Sequence, residues 1–182
     1  MHWFELTLGA ELPAEFQERI KWIEAEGVEL VTAREYQSRR SDWARAWWSL
    51  EDQALADIPN TLGVTRPSYE EWREQLDSPL SELDLTLIAL DVKRPVAVLR
   101  LSAVHEGVMN INFTGVASSH RRRGISSALK ARALEHAMAC GARAISTQND
   151  RANSAIIAAN QSFGFLERDR LVDYLYELRS SP

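Results

Sequence analysis

Apolar positions recur at helical spacing in the first part of the chain and at strand spacing from Leu85 onward. Trp43, Trp47, Leu50 and Ala54 fall on one face of a helix, in a stretch opened by Thr32-Ala33-Arg34-Glu35. A hydroxyl three residues before a carboxylate is a capping box, so one helix is expected to run from Thr32 through that stripe. Ser68-Tyr69-Glu70-Glu71, after Pro67 and before Trp72, repeats the signature and predicts a second helix, with Pro59 and Gly63 in the loop between them. Ahead of both, residues 3–8 read as a strand and 14–26 as a helix. Strands at 85–92 and 96–104 flank the polar turn Lys93-Arg94-Pro95 and predict a hairpin. In the next strand, 108–118, Met109, Ile111, Phe113 and Gly115 alternate with Asn110, Asn112, Thr114 and Val116. Ile125, Leu129, Ala133 and Ala137 then line one face of a helix that Gly141 terminates. A strand at 143–147, a helix around 153–162, Gly164-Phe165 and a last strand at 171–178 complete the chain. Strand, helix, strand, helix, strand in that order predicts α/β layering with a right-handed crossover.

Composition narrows the class. A chain of 182 residues, 45% hydrophobic and 26% charged, suits one globular domain with a sizeable core. The net charge of -5 argues against nucleic acid and an anionic membrane as partners. One cysteine, Cys140, allows no intrachain disulfide and no cysteine zinc cluster, and no metal-ligand spacing appears. The first fifteen residues do not read as a signal peptide, and no apolar run reaches membrane-spanning length, so a cytoplasmic protein is expected.

The chemistry concentrates where the 108–118 strand ends. Val116, Ala117 and Ser118 lead into His120-Arg121-Arg122-Arg123-Gly124, and Ile125, Ser126 and Ser127 start a helix. The first amides of a helix lack internal partners and carry about half a positive charge, so the turn is a site for a phosphate group. Gly124 would let a pyrophosphate approach the backbone, and Arg121, Arg122 and Arg123 would add mobile positive charge. Three consecutive arginines read first as a solvated patch; their place between a strand and a glycine-led helix favours a binding loop.

This segment resembles the acetyl-CoA signature of the GNAT superfamily, Arg/Gln-x-x-Gly-x-Gly/Ala, through Arg121 and Gly124, with Ser126 in place of the last small residue. A second segment is similar to the superfamily's later pattern through Asn149, Asn153, Ile156, Asn160, Phe163, Gly164 and Phe165. The resemblance covers roughly the second half of the chain. It implies an α/β GNAT acyl-CoA N-acyltransferase fold with a central mixed, mostly antiparallel sheet flanked by helices. It also implies a single domain over 1–182: an extension at 1–30, a helical acceptor-side region at 31–84 and a sheet core with the acetyl-CoA site at 85–182. The strand ending at Val116 to Ser118 would pair with the amides of pantetheine, and Asn153 and Asn160 would reach the far end of the cofactor. The implied reaction is direct attack of an amine on the acetyl thioester in a ternary complex, without a metal. The acceptor implied is a small or amino-acid-like amine.

An amine of pKa about 10 must first lose a proton, at a cost of roughly 4 kcal/mol at neutral pH. Glu51, Glu106, His105 and His120 are the candidate bases. Many members of the superfamily carry a tyrosine acid where this chain has Asn160, and a carboxylate near the position of Asn110. That absence keeps a non-catalytic acetyl-CoA sensor as an alternative, beside a protein or peptide acetyltransferase. Trp43, Trp47 and Trp72 read as core, Trp48 as a pocket candidate and Cys140 as an inert packed thiol. Asn153 can also serve as an N-cap and Gly164 as a helix terminator. The strand and helix of the extension resemble the join between halves in tandem GNAT proteins, which implies a homodimer.

Overall fold

The computed structural model describes residues 2–57, 66–77, 83–150 and 153–170. The loop with Pro59 and Gly63 and the expected strand at 171–178 lie outside them. In chain order the elements are β1 (His2–Thr7), α1 (Ala14–Ala25), β2 (Val28–Thr32), α2 (Ala33–Arg39), α3 (Trp43–Ala56), α4 (Tyr69–Asp77), β3 (Thr86–Asp91) and β4 (Arg94–Leu101). Then follow β5 (Val108–Val116), a 3-10 turn (Ser118–His120), α5 (Ile125–Ala139), β6 (Ala144–Asn149), α6 (Ser154–Ser162) and β7 (Leu166–Arg170). The strands form one seven-stranded sheet in the order β2-β3-β4-β5-β6-β1-β7. Every pairing is antiparallel except β5 with β6.

Alternation along the central strands divides the interior in two. Leu87, Ala89, Ala97, Leu99 and Leu101 face a core completed by Phe16, Ile20 and Ile23 of α1 and Ile125, Leu129, Ala133 and Ala137 of α5. Ile88, Leu90 and Val98 face the opposite core, with Tyr36 of α2, Trp43, Trp47 and Leu50 of α3 and Trp72 of α4. The indoles of Trp47 and Trp72 meet edge to face at 5.1 Å between centroids. All three core tryptophans of the sequence reading are thus buried.

Both capping boxes form: Glu35 N donates to Thr32 Oγ1 and Thr32 N to Glu35 Oε2, while Glu71 N donates to Ser68 Oγ and Ser68 N to Glu71 Oε2. The first box opens a shorter helix than expected. Arg40 is extended, so α2 ends at Arg39 and the tryptophan stripe belongs to a separate helix. Val28–Thr32, given no element in the sequence reading, pairs with β3 as the edge strand.

The alternation expected through Phe113 breaks at Asn112. Arg100 pairs with Phe113 and Leu101 with Ile111, so β5 places one extra residue, Asn112, against the β4 ladder. Such a bulge shifts every later side chain to the other face. Met109 and Ile111 accordingly face the α1/α5 core, and Phe113 packs against the α3/α4 core.

Candidate functional site

The bulge also opens the sheet. Parallel pairing between β5 and β6 covers only Val108 to Ile111, against Ala144 to Thr147. Beyond Ile111 the outer part of β5 has β4 as its only strand partner among the described residues. Ala117 N donates to Val96 O, which fixes the antiparallel alternation: Phe113, Gly115 and Ala117 bond toward β4, and Thr114 and Val116 direct their N–H groups to the opened side.

A cleft of about 490 Å³ occupies that opening. Thr114, Gly115 and Val116 form one wall and Gly124, Ile125, Ser126 and Ser127 another. Asn153, Ile156 and Ala159 of α6 close a third side, and Ala54 and Asp57 at the end of α3 a fourth. The strand therefore runs into a helix N-terminus within one concavity, where Ala128 N is the first α5 amide bonded to Gly124 O. Gly124 is left-handed at φ 75, and Arg122 before it at φ 60. Left-handed residues at a helix start turn successive amides toward one side and form an anion-binding nest. The left-handed backbone favours glycine at this position, and a Cβ there would lie 3.0 Å from Trp22 Cζ3. At Gly115 a Cβ would come within 2.7 Å of Ala54 Cβ, which explains how α3 lies so close to β5.

The three arginines differ in their engagements. Arg121 donates through Nε to Val116 O at 3.1 Å and through Nη2 to Asp57 Oδ2. Arg123 Nη1 lies 3.5 Å from Asp91 Oδ2, outside the cleft lining. Arg122 lines the cleft and, among the described residues, has no carboxylate partner. Arg121 and Arg123 thus each stand beside a carboxylate at the surface. Of the expected cofactor residues, Val116, Arg121, Arg122, Gly124, Ile125, Ser126, Ser127 and Asn153 line the cleft, whereas Ala117, Ser118, Arg123, Asn149 and Asn160 do not.

Asn160 is fully buried. Its Oδ1 accepts from Lys130 Nζ and its Nδ2 donates to Asn149 Oδ1 at 2.6 Å. Lys130 is itself 2% exposed, and burial lowers its pKa to about 8. Asn153 caps α6, its Oδ1 accepting from Ile156 N. Asn110 Oδ1 accepts from Ser146 Oγ.

The candidate bases are dispersed. Glu51 is buried 2.7 Å from each of three donors, with Oε1 taken by Trp47 Nε1 and Oε2 by Trp72 Nε1 and Arg100 Nη2. His105 and Glu106 occupy the turn before β5, at the opposite end of that strand from the cleft. His120 lines the cleft, with Nε2 3.0 Å from Asp91 Oδ2 and Nδ1 2.8 Å from Ser119 Oγ. Trp48 is not part of the cleft lining; its Nε1 donates to Pro67 O and its ring packs edge-on against Tyr69. Cys140, expected to be packed, is exposed at the C-terminus of α5.

The cleft lining also includes Ala54, Asp57, Thr114, Gly115, Ile156 and Ala159, which the sequence reading did not place among the cofactor residues. Ile156 already stood in the second motif, three residues after the N-cap Asn153. Asp57 and Ala54 carry no sequence signal, because only tertiary packing brings the end of α3 to β5.

Among the described residues no helix is long and apolar enough to cross a membrane, and no group of three or more His, Cys, Asp or Glu is arranged to hold a metal.

The sheet is mixed and opens beside a strand that leads into a helix N-terminus. The sequence model described as acetyltransferase (GNAT) family matches residues 43–165, and the chain belongs to that family. A GCN5-related N-acetyltransferase from Sphaerobacter thermophilus superposes with a TM-score of 0.63 at 19% identity, over 92% of this chain and 48% of that one. This chain thus spans about half the length of that protein. An aminoglycoside N-acetyltransferase in complex with the bisubstrate analogue CoA-S-monomethyl-acetylneamine gives 0.61 at 17% identity, covering 83% of this chain and 99% of that one. The ribosomal-protein-S18-alanine N-acetyltransferase of Escherichia coli gives 0.58 at 15% identity, covering 78% and 79%. No curated protein sequence matches the chain.

Proposed function

We propose that the protein binds acetyl-CoA in this cleft and transfers the acetyl group to the amine of a small or amino-acid-like acceptor. The observation that carries the reading is the continuity of the opened edge of β5 with the N-terminus of α5 inside one cleft. CoA combines amide groups suited to pair with a strand edge and a pyrophosphate suited to a helix N-terminus. Thr114 and Val116 supply the edge amides, Gly124 to Ser127 the helix-start amides, and Arg122 a cation without a carboxylate partner among the described residues.

Acetyl-CoA supplies an activated thioester, and the chain's own task is to orient it and to stabilise the oxyanion that forms. Of the two edge amides, that of Thr114, farther from the phosphate turn, is the proposed oxyanion donor, and that of Val116 is left to pair with the amide chain of CoA. Arg121 braces the end of this edge through the Val116 carbonyl. The roughly 4 kcal/mol needed to deprotonate the amine falls to a base or to water reaching one. Glu51, with both oxygens committed to buried donors, and His105 and Glu106, at the far end of β5, leave the proposal; His120 on the cleft wall is the remaining side chain to test. Asn160 does not reach the wall, so the leaving thiolate, of pKa near 8.5, departs without an acid from that position.

The proposal extends to a single domain over 1–182, a cytoplasmic setting and a homodimer, the last checked by light scattering at micromolar concentration. The function is tested by following thiol release from acetyl-CoA with a panel of aminoglycosides, polyamines, amino acids and alanine-terminated peptides. Saturable release with one small amine is expected. Binding of acetyl-CoA without release across the panel would favour the non-catalytic sensor, and release with peptides alone would favour a protein acetyltransferase.

A further inference from the structure

Helix α1 buries Phe16, Ile20 and Ile23 and leaves Trp22 off that stripe, 53% exposed. An indole carries a large apolar surface, and folding gains little from one left in water. This indole nevertheless has a specific neighbour. Its six-membered ring lies against the phosphate turn, where a Cβ at Gly124 would meet Cζ3 at 3.0 Å, Cε3 at 3.7 Å and Cη2 at 3.9 Å. The helix that carries it is fastened to its neighbours on either side. Glu24 Oε1 accepts from Arg132 Nη2 of α5 at 2.9 Å, and Phe16 stacks on Phe163 at 4.8 Å. Trp22 therefore presents an exposed aromatic surface at the edge of an anion-binding turn, on a helix tied to its neighbours.

The direction of the cleft selects what such a surface would meet. Thr114 and Val116 set the side on which an extended amide chain lies, and the turn at Gly124 sets the phosphates. A ligand with phosphates in its middle must then carry its remaining portion away from β5, past Gly124. For a CoA thioester that portion is a nucleotide. Its purine is a flat ring of the kind that aromatic side chains stack against.

We infer that Trp22 is the stacking platform for the purine of the CoA nucleotide, fixed by α1 beside Gly124. The inference rests on the cleft being the CoA site. It makes α1, which precedes the segment matched by the family model, part of donor recognition. It also gives Trp22 a role in discriminating CoA from ligands that end at the phosphate.

The test is calorimetric titration of the full chain and of Trp22→Ala and Trp22→Phe with CoA and with 4'-phosphopantetheine, which lacks the nucleotide. Stacking of one base predicts a loss of roughly tenfold to a hundredfold in CoA affinity for Trp22→Ala, with phosphopantetheine affinity unchanged. Trp22→Phe should retain most of the CoA affinity. Indole fluorescence of the unaltered protein should change with CoA and not with phosphopantetheine, and that change should vanish in Trp22→Phe, a readout that holds even if Trp22→Ala folds poorly. Equal weakening of both ligands would reduce Trp22 to a support for Gly124 and overturn the inference. Unchanged CoA binding by both variants would overturn it while leaving the CoA site intact. Failure of the unaltered protein to bind CoA at millimolar concentration would overturn the site and the inference together.

Discussion

Lys130 gives a prediction whose size follows from its surroundings. The ammonium lies between α5 and α6, where Asn160 Oδ1 accepts its hydrogen bond and the Phe163 ring centroid is 5.9 Å away. Burial lowers its pKa from 10.5 to about 8. Below pH 8 both the folded and unfolded chains hold the proton, and folding bears the full cost of burying the charge. Between pH 8 and 10.5 the folded chain has released the proton that the unfolded chain keeps, so this group makes stability rise with pH. At about 1.4 kcal/mol per pH unit, the whole interval amounts to on the order of 3 kcal/mol. Lys130→Met removes the charge and leaves Asn160 Oδ1 without its donor, at a cost of about 1–3 kcal/mol. The variant should therefore be about as stable as the parent at pH 7, or somewhat more. Urea unfolding of both proteins across pH 7.5 to 9.5 isolates the effect, because the other titrating groups cancel in the difference. The parent should gain about 2 kcal/mol on the variant over that range. A pH-independent difference would refute the reasoning, since the amine would then titrate alike in both states.

Two further substitutions test the architecture around the cleft. Glu51→Leu leaves two indole N–H groups and the Arg100 guanidinium without their acceptor and should cost about 3–5 kcal/mol in thermal or urea unfolding; unchanged stability with lost turnover would instead make Glu51 a catalytic group. Gly115→Ala forces a Cβ to within 2.7 Å of Ala54 and should cost about 1–3 kcal/mol while raising the KM for acetyl-CoA, and an unchanged melting temperature and KM would show that α3 does not rest on β5 as described.

What the sequence disclosed was mostly local. Both capping boxes, the Gly124 turn, the α5 stripe and the Gly141 terminator depend on residues a few positions apart, and each forms. The bulge at Asn112 was not legible, because it exists only in the register of β5 against β4, and nothing in Ile111-Asn112-Phe113 marks it. The break between α2 and α3 was hidden because the capping box and the tryptophan stripe read as one continuous helix. At the site, the helix-start residues and Asn153 were readable from their motifs, whereas the engagement of Arg121 depends on Asp57, sixty-four residues away along the chain. Lys130 was hidden for a related reason: the sequence marked one apolar face of α5, while Ala128, Ala131 and Leu134 bury a second.

The most direct test of the central claim is calorimetric titration of acetyl-CoA into the protein and into Ser126→Glu. Ser126 is the second residue of α5 and lines the cleft, so a carboxylate there favours the helix N-terminus while repelling a pyrophosphate. The account predicts saturable binding by the unaltered protein and at least roughly tenfold weaker binding by the variant, with no loss of melting temperature. Equal affinity of the two proteins, or no binding by the unaltered protein at millimolar acetyl-CoA, would contradict the assignment of the cleft.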